Sequence, residues 1–468
     1  MDRLRKLTDM LAALALARRK ASRDRWPVDR LRAFQSARLG ALAHHAARRT
    51  RLYADLYAGL DLTDPETLSR LPTTDKRLLI ERFDDSVADP RLTRAAVLDH
   101  AAAMSGDALL HGAYRVIATT GTSGLRGHFV YDRAGWREAL ADTLRWNAMI
   151  GLAPRLPRRA RIAAIGADTP LHVTGRIALS GDAGLFRILR LSAAEPVPAL
   201  AAALAAFRPE ALIGYPSLLA RLALEQIEGR LAIRPRLVAT HSETLTAAMR
   251  RRIRAAWGRE CFDHYGLTEA PHVAAECAAH RGLHLFEDSV LAEPVDEAGK
   301  PVPPGAPAAR WLLTNLANRV QPIIRYAVDD GLTFSPEPCP CGRPGRLIAA
   351  IGGRREDALR LPAASGAGVA MVSSHAVALA VEALADVAEY AVAQEGATVR
   401  AAIVPRRGAD AEAVRSAAVA ALEGAIRAAG AAPQAITARI ADSLPRGRDR
   451  IGKLRLVKGD AASAPAAP

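Results

Sequence analysis

From Tyr114 to about Ala350, short apolar runs alternate with longer runs of helical period, and this alternation constrains the fold more than any other feature. "RIAAIGA" (161–167), "ALIGY" (211–215) and "PRLVATHS" (235–242) are too short for buried helices. Helix-like segments such as Ser217 to Glu228 and Leu245 to Trp257 flank them. Continuous apolar runs between helices read as strands of a largely parallel sheet, covered on both faces by their own crossovers. Residues 1 to about 110 read as helical: Arg30 to Arg49 is a long amphipathic run, and "LPTTDKRLLIERF" carries a helix start at Thr74 or Asp75. "DEAGKPVPPGAPAARWLLTNL" reads as a hairpin turn feeding a strand over Arg310 to Leu316, so a smaller β-rich part is expected near 285–350. Beyond "IGGRREDALRL" the pattern changes. "AEYAVAQEGATVRAAIVPR" predicts two strands joined at Glu395-Gly396, and "DAEAVRSAAVAALEGAIRAAG" a helix. The expected fold is α/β: a large multi-sheet N-terminal domain over 1–353 and a small, compact α+β C-terminal domain over 354–460. The low-complexity tail 461–468 is expected to be disordered.

Charge and cysteine usage exclude other classes. The net charge of +15 over 468 residues invites a nucleic-acid reading. However, lysine occurs only at Lys6, Lys20, Lys76, Lys300, Lys453 and Lys458, and the arginines are spread along the whole chain. No basic block interleaves with the stacking aromatics that a single-strand binder needs. Met10 to Ala17 is apolar but too short to span a bilayer. It reads as part of an amphipathic helix with Arg18, Arg19 and Lys20 at its C-terminal end, where positive charge is favourable. Neither nucleic acid nor membrane is an expected partner. Four cysteines in so long a chain make no disulfide scaffold and fit a reducing cytoplasm.

Several short stretches carry chemistry. "YRVIATTGTSGLRGHFVYD" (114–132) sets Thr119 to Gly127, a run of hydroxyls and glycines, between two strand-like ends. Such a loop either joins a plain hairpin or forms a concavity of hydroxyls and open N–H groups that takes phosphate. It lacks the Gly-Lys-Ser/Thr of a Walker loop and the glycine spacing of a dinucleotide fingerprint. "DHYGLTEA" (263–270) puts an aromatic, a glycine, a threonine and a carboxylate within five residues: Tyr265 to stack on a base, Thr268 for a phosphate oxygen and Glu269 for Mg²⁺. "IIRYAVDDG" (323–331) offers Arg325 for a phosphate and Asp330, with Asp329 competing, for ribose hydroxyls. "LPRGRDRIGKLRLVK" (444–458) sets Lys453 on a glycine-flanked turn in a chain almost empty of lysine. Cys339 and Cys341, with Cys277 and either His280 or His284, supply three thiolates and an imidazole, enough for a closed tetrahedral Zn²⁺ site. Cys261 is left as a core residue.

In this order these pieces resemble the adenylate-forming superfamily of acyl-CoA synthetases and adenylation domains. The loop looks like its Thr/Ser/Gly-rich phosphate motif, "YGLTE" matches its Tyr-Gly-x-Thr-Glu motif, "GRRED" (353–357) its interdomain hinge, and "LPRGRDRIGKLR" its C-terminal Gly-Lys motif. "AECAAHRGLHLFED", "QPIIRYAVDDG", "CPCGRPGRL" and the N-terminal "RRTRLYADLY" and "LPTTDK" resemble the phenylacetate–coenzyme A ligase branch, including relatives similar to the deazaflavin-coenzyme adenylyltransferase.

The resemblance implies that Thr119, Thr120, Gly121, Thr122, Ser123, Gly124, Arg126 and Gly127 hold the β- and γ-phosphates of ATP. Leu125 stands where the family often has Lys, and Arg126 where it has Pro. It implies that Tyr265 and Gly266 form the adenine-stacking turn, that Ser242 and Glu243 of "HSETL" line the adenine pocket, and that Arg325 and Arg354 reach phosphates or ribose. Thr268 and Glu269 act with Lys453 in catalysis, and Arg355-Glu356 is the hinge. Glu356 replaces the family's Asp, and Thr244 its Pro. The family's "GLH" favours His284 as the fourth zinc ligand. Tyr215, Pro216, Ser217, His241, Pro271 and Val273 flank the motifs and are the candidate substrate pocket. The implied activity is ATP- and Mg²⁺-dependent activation of a small carboxylic acid, aryl by the habit of the branch, to an acyl-adenylate. Transfer to coenzyme A or to the phosphopantetheine of an acyl carrier protein follows. Two alternatives stay open: an adenylyltransferase that ends at an AMP adduct, and a basic nucleic-acid-binding protein with degenerate motifs.

Overall fold

The computed structural model describes residues 2–119, 126–154, 157–445 and 453–460. Thr120, Gly121, Thr122, Ser123, Gly124 and the tail 461–468 lie outside the described residues, as do the side chains of Arg354 and Arg355.

A nine-stranded sheet organises the larger lobe. Its parallel half runs Arg187–Ser192, Arg161–Gly166, Ala211–Gly214, Leu237–His241 and Cys261–Tyr265. Its antiparallel half continues with Ala274–Glu276, Leu283–Leu285, Leu347–Arg354 and Asp330–Phe334. The three runs read as strands from the sequence lie next to one another in the parallel half. Helices Val197–Phe207, Pro216–Ile227 and Ala247–Trp257 connect them or follow them. Local chemistry sets those helices. Pro216 occupies the first turn, where its missing N–H costs nothing, Thr246 caps the Met249 N–H, and Gly258 ends its helix at φ 64°.

A three-stranded antiparallel sheet, Val290–Val295, Arg310–Asn315 and Ile323–Val328, packs into the main core. Thr74 pairs alongside its last strand: its N–H donates to the Arg325 carbonyl (3.1 Å), and its carbonyl accepts from Ala327 N–H (2.8 Å). Asp75 then caps the helix Lys76–Glu81 by accepting from Leu78 N–H. The Thr/Gly loop spans a hairpin, Arg115–Ala118 against His128–Tyr131. Two long helices, Asp2–Arg23 and Val28–Arg49, wrap the lobe. Lys20 is not a solvated helix-end charge: it is fully buried, with its ammonium on Asp142 (2.9 Å), Glu138 (2.8 Å) and the Ser289 hydroxyl. Much of the arginine excess is structural too. Arg115 and Arg176 are buried against Asp107, and Arg145 against Asp288. Among the described residues no helix is long and apolar enough to cross a membrane.

Residues 359–457 form a second core of their own, built from a four-stranded sheet and the helices Ser374–Glu382 and Ala411–Ala428. The hairpin predicted at Glu395-Gly396 joins Val387–Glu395 to Thr398–Pro405, with Gly396 at φ 59°. A small apolar cluster, Leu224, Ala388, Val404, Leu444 and Leu454, bridges the two lobes.

Candidate active site

The parallel strands end together, and the chemistry-bearing residues collect at that edge. After Cys261–Tyr265 the chain turns tightly. A Cβ on Gly266 would stand 2.1 Å from the Pro271 carbonyl oxygen, so no other residue fits there. Val273 N–H donates back to the Tyr265 carbonyl (3.0 Å), and the Tyr265 hydroxyl donates to Asp330 (2.6 Å). This bond joins two motifs 65 residues apart and separates the competing aspartates: Asp330 is buried at the start of its strand, whereas Asp329 is exposed.

Glu269 is buried and accepts from the Tyr326 hydroxyl (2.9 Å). Its backbone carbonyl accepts from Tyr131 O–H and from the Asn315 amide, both at 2.8 Å, and Tyr131 also bonds the Thr268 carbonyl. The hairpin that flanks the Thr/Gly loop is thereby tied to the Thr268-Glu269 turn. At the loop's described margins, Gly127 N–H donates to the Thr119 hydroxyl and Thr119 N–H to the Gly127 carbonyl, both at 2.9 Å. Lys76 lies alongside: its Cε is 3.6 Å from where a Cβ on Gly127 would stand.

The small lobe brings Lys453 to the same edge. Its ammonium lies 5.9 Å from the centre of the Tyr215 ring, which packs edge-on against His241. His172 and His241 lie near this ammonium, and His264 pairs in register with His241 on the neighbouring strand. Burial, followed by the nearby Lys453 charge, pushes His241 down to about 4 and holds His172 well below its ordinary value. Burial also holds His264 well down and His272 to about 3; the two share a ring-to-ring hydrogen bond of 2.7 Å, and His272 reaches the Thr143 hydroxyl at 2.8 Å. At neutral pH the four imidazoles are uncharged. Neither His172 nor His241 therefore sets a second positive charge beside Lys453.

No family model matches the chain. A phenylacetate–coenzyme A ligase of Thermus thermophilus is 28% identical over 386 residues, 79% of this chain and 80% of that protein. A 2-hydroxyisobutyryl-CoA ligase solved in its postadenylation state with 2-HIB-AMP superposes with a TM-score of 0.73 at 20% identity, over 94% of this chain and 91% of its own. In sequence the chain is similar to the phenylacetate–coenzyme A ligase, and in fold to the 2-hydroxyisobutyryl-CoA ligase. The same ligase in its thioesterification state, with CoA, superposes with a TM-score of only 0.59, at 21% identity and the same coverage.

Several residues named from the adenylate-forming motifs lie elsewhere than expected. Arg325, at φ 46°, donates to the Leu71 carbonyl (2.6 Å) and pairs with Glu293 (3.2 Å), while its neighbour Tyr326 meets Glu269. Successive strand residues face opposite sides, so only one of the two can serve the site. Glu243 does not merely line a base pocket: it bonds Ser217 N–H and, across the lobes, Leu454 N–H. Val273 is wholly buried in the main core and Pro271 packs on Gly266, whereas Tyr215 and His241 sit beside Lys453. Pro216 and Ser217 are buried in the first turn of their helix. The backbone of Arg354 pairs with Asp330, and Arg355–Asp357 is a single 3-10 turn, where Asp357 is ion-paired to Arg455. Sequence reading passed over Tyr326, Tyr131, Lys76 and the histidines His172, His264 and His272. Strand parity in "IIRYAV" marks Tyr326, and the scarcity of lysine marks Lys76.

A second cluster lies away from this edge. The ligand atoms of Cys277, His284, Cys339 and Cys341 all fall within 4.8 Å of one another. Cys277 and Cys339 sulfurs are 3.7 Å apart, and Cys341 sulfur is 3.3 Å from His284 Nε2. A tetrahedron of zinc–sulfur bonds of ~2.3 Å has edges of about 3.8 Å, so the donor set fits Zn²⁺ in both chemistry and size. The rival His280 instead pairs with Glu276 (3.2 Å). Cys261 is buried in the core.

Proposed function

We propose that the protein is an ATP-dependent ligase that activates a small carboxylic acid as its acyl-adenylate and passes the acyl group to a thiol, that of coenzyme A or of a carrier-protein pantetheine. The observation that carries this reading is the position of Lys453. The small lobe sets one ammonium against Tyr215 and His241, at the strand edge that also carries Tyr265, Thr268, Glu269 and Asp330.

In the first step the acid's carboxylate attacks the α-phosphorus of ATP and pyrophosphate leaves. Negative charge leaves the attacking carboxylate and builds on the oxygens of the pentavalent phosphorus and on the departing pyrophosphate oxygen. Lys453 offsets that charge, with Thr268 beside it; Tyr265 and Asp330 fix the nucleoside, and the Thr119–Gly127 loop, with Lys76 beside Gly127, takes the leaving phosphates. Lys76 stands in for the lysine that the loop lacks at Leu125. Glu269, a buried hard oxygen donor oriented by Tyr326, would hold Mg²⁺, which would neutralise phosphate charge when bound. In the second step the small lobe turns about Arg355-Glu356, withdraws Lys453 and admits the thiol. The better match to the postadenylation state than to the thioesterification state supports the adenylating arrangement here.

Aryl acids are the proposed substrate class, with Tyr215, His241 and His172 offering flat, uncharged walls. Cys277, His284, Cys339 and Cys341 would hold a structural Zn²⁺ tying the strand at His284 to the loop at Cys339, and a reducing cytoplasm would keep those thiolates available to it. An ATP–pyrophosphate exchange screen over aryl, fatty and amino acids tests the reading. One class should drive exchange, and AMP release should then require coenzyme A or a carrier thiol. Exchange with no acid of any class would refute it.

A further inference from the structure

Glu243 occupies a position that its motif does not explain. The strand Leu237–His241 ends at Ser242, whose φ of 70° turns the chain sharply and aims the next side chain along the lobe boundary. One oxygen of the Glu243 carboxylate accepts from Ser217 N–H (3.2 Å), in the first turn of the helix Pro216–Ile227. The other accepts from Leu454 N–H (2.9 Å), the peptide bond immediately after Lys453. One rigid carboxylate thus bonds both lobes at the residue next to the key ammonium. Other polar contacts across the boundary, among the described residues, come from two arginines: Arg252 donates to the Val387 and Ala388 carbonyls (both 2.9 Å), and Arg221 faces Glu389 at 3.6 Å.

We propose that Glu243 is a positioning residue for Lys453: a carboxylate latch that holds the small lobe in its adenylating arrangement. Its two oxygens divide the work. The Ser217 bond stays within the large lobe and keeps the carboxylate in place, where the positive end of the helix dipole favours it. The Leu454 bond forms only while Lys453 is at the site. When the lobe turns, the carboxylate exchanges Leu454 N–H for water at a boundary that has opened, so release is not opposed by a stranded buried charge.

The proposal rests on the ligase reading, and the test separates the two. Glu243→Gln keeps the size but leaves one accepting oxygen and sets an NH₂ group against one of the two N–H donors. Acid-dependent ATP–pyrophosphate exchange should lose about 10- to 100-fold in kcat, the loss of one charge-assisted hydrogen bond, with the ATP KM unchanged. Thioester formation from a supplied acyl-adenylate should keep its rate. In a Lys453→Ala background, Glu243→Gln should add nothing to the loss of exchange, because it acts through that lysine. A raised ATP KM with kcat retained would return Glu243 to the adenine pocket and overturn the latch, as would equal losses in both half-reactions or full additivity with Lys453→Ala. Small-angle X-ray scattering of the unliganded protein needs no activity. Wild type should fit the lobe arrangement described above and Glu243→Gln should depart from it; identical curves would also overturn the latch. If the wild type exchanges pyrophosphate with no acid, the ligase reading falls, while the scattering comparison still decides the latch.

Discussion

The two halves of the active site are held in opposite ways. On the large lobe, Glu269 is fixed by Tyr326, Tyr131 and Asn315, Tyr265 by Asp330, and Gly266 by direct contact with the Pro271 carbonyl. These groups are bonded within one lobe and packed against its core, so a displacement of any one breaks several bonds. On the small lobe, Lys453 is seated by the N–H bond of its neighbour Leu454 to Glu243, backed by two arginines and a thin apolar cluster. Under the proposed function, the half that would recognise a nucleotide is preorganised, and the half that would leave is held by a few contacts of modest strength. Electrostatic preorganisation needs rigidity where charge is read, whereas a two-step reaction needs one charge that can be withdrawn.

Substitutions on the two sides should therefore fail differently. Lys453→Ala should lower acid-driven pyrophosphate exchange by about 10²–10³ or more while thioester formation from supplied adenylate proceeds; equal loss of both would break the comparison. Gly266→Ala should abolish both half-reactions together and lower the melting temperature, because a Cβ 2.1 Å from a carbonyl oxygen forces the Tyr265–Glu269 turn to move. A Gly266→Ala protein with one half-reaction intact would show that the turn is not the shared platform. Cys339→Ser, or removal of metal by a strong chelator, should take about one zinc per chain from the protein and lower its melting temperature. The ratio of the two half-reactions should stay unchanged, since the cluster lies within the large lobe; metal analysis with thermal denaturation checks this.

The smallest expected effect is on pH. His241 binds its proton only near 4 when folded, but near 6.5 when unfolded. Between these values the unfolded chain binds more protons, so the contribution to stability falls as pH drops through that window. His272, at about 3, acts in the same direction. Asp263, which burial raises to about 7, acts in the opposite direction by taking up its proton in the folded state first. Denaturant titrations of His272→Gln against wild type should show a shallower acid loss between pH 6.5 and 4 in the variant; parallel curves would place the titration elsewhere.

Much of this was legible in the chain. The parallel strands, the Glu395-Gly396 hairpin and the cap at Asp75 follow from local patterns, because burial and capping act over a few residues. The Cys/His cluster was legible because soft donors are scarce and their spacing constrains them; only the choice of His284 over His280 needed the resemblance. Arg325 was misplaced because its motif gives position but not face, and the faces of a strand alternate. Lys20 was misread as a helix-end charge, since nothing local announces that Asp142 and Ser289 will close over it.

The sequence by itself determined the main strands, helices and turns and the order in which the candidate chemical groups follow one another, since residue type and short-range period are local properties. Tertiary structure alone decided which of them meet: Tyr265 with Asp330, Tyr326 with Glu269, and Glu243 with the residue beside Lys453. Each of these bonds joins segments far apart in the chain, and only the closing of the sheet and the seating of one lobe on the other bring such segments within hydrogen-bonding distance.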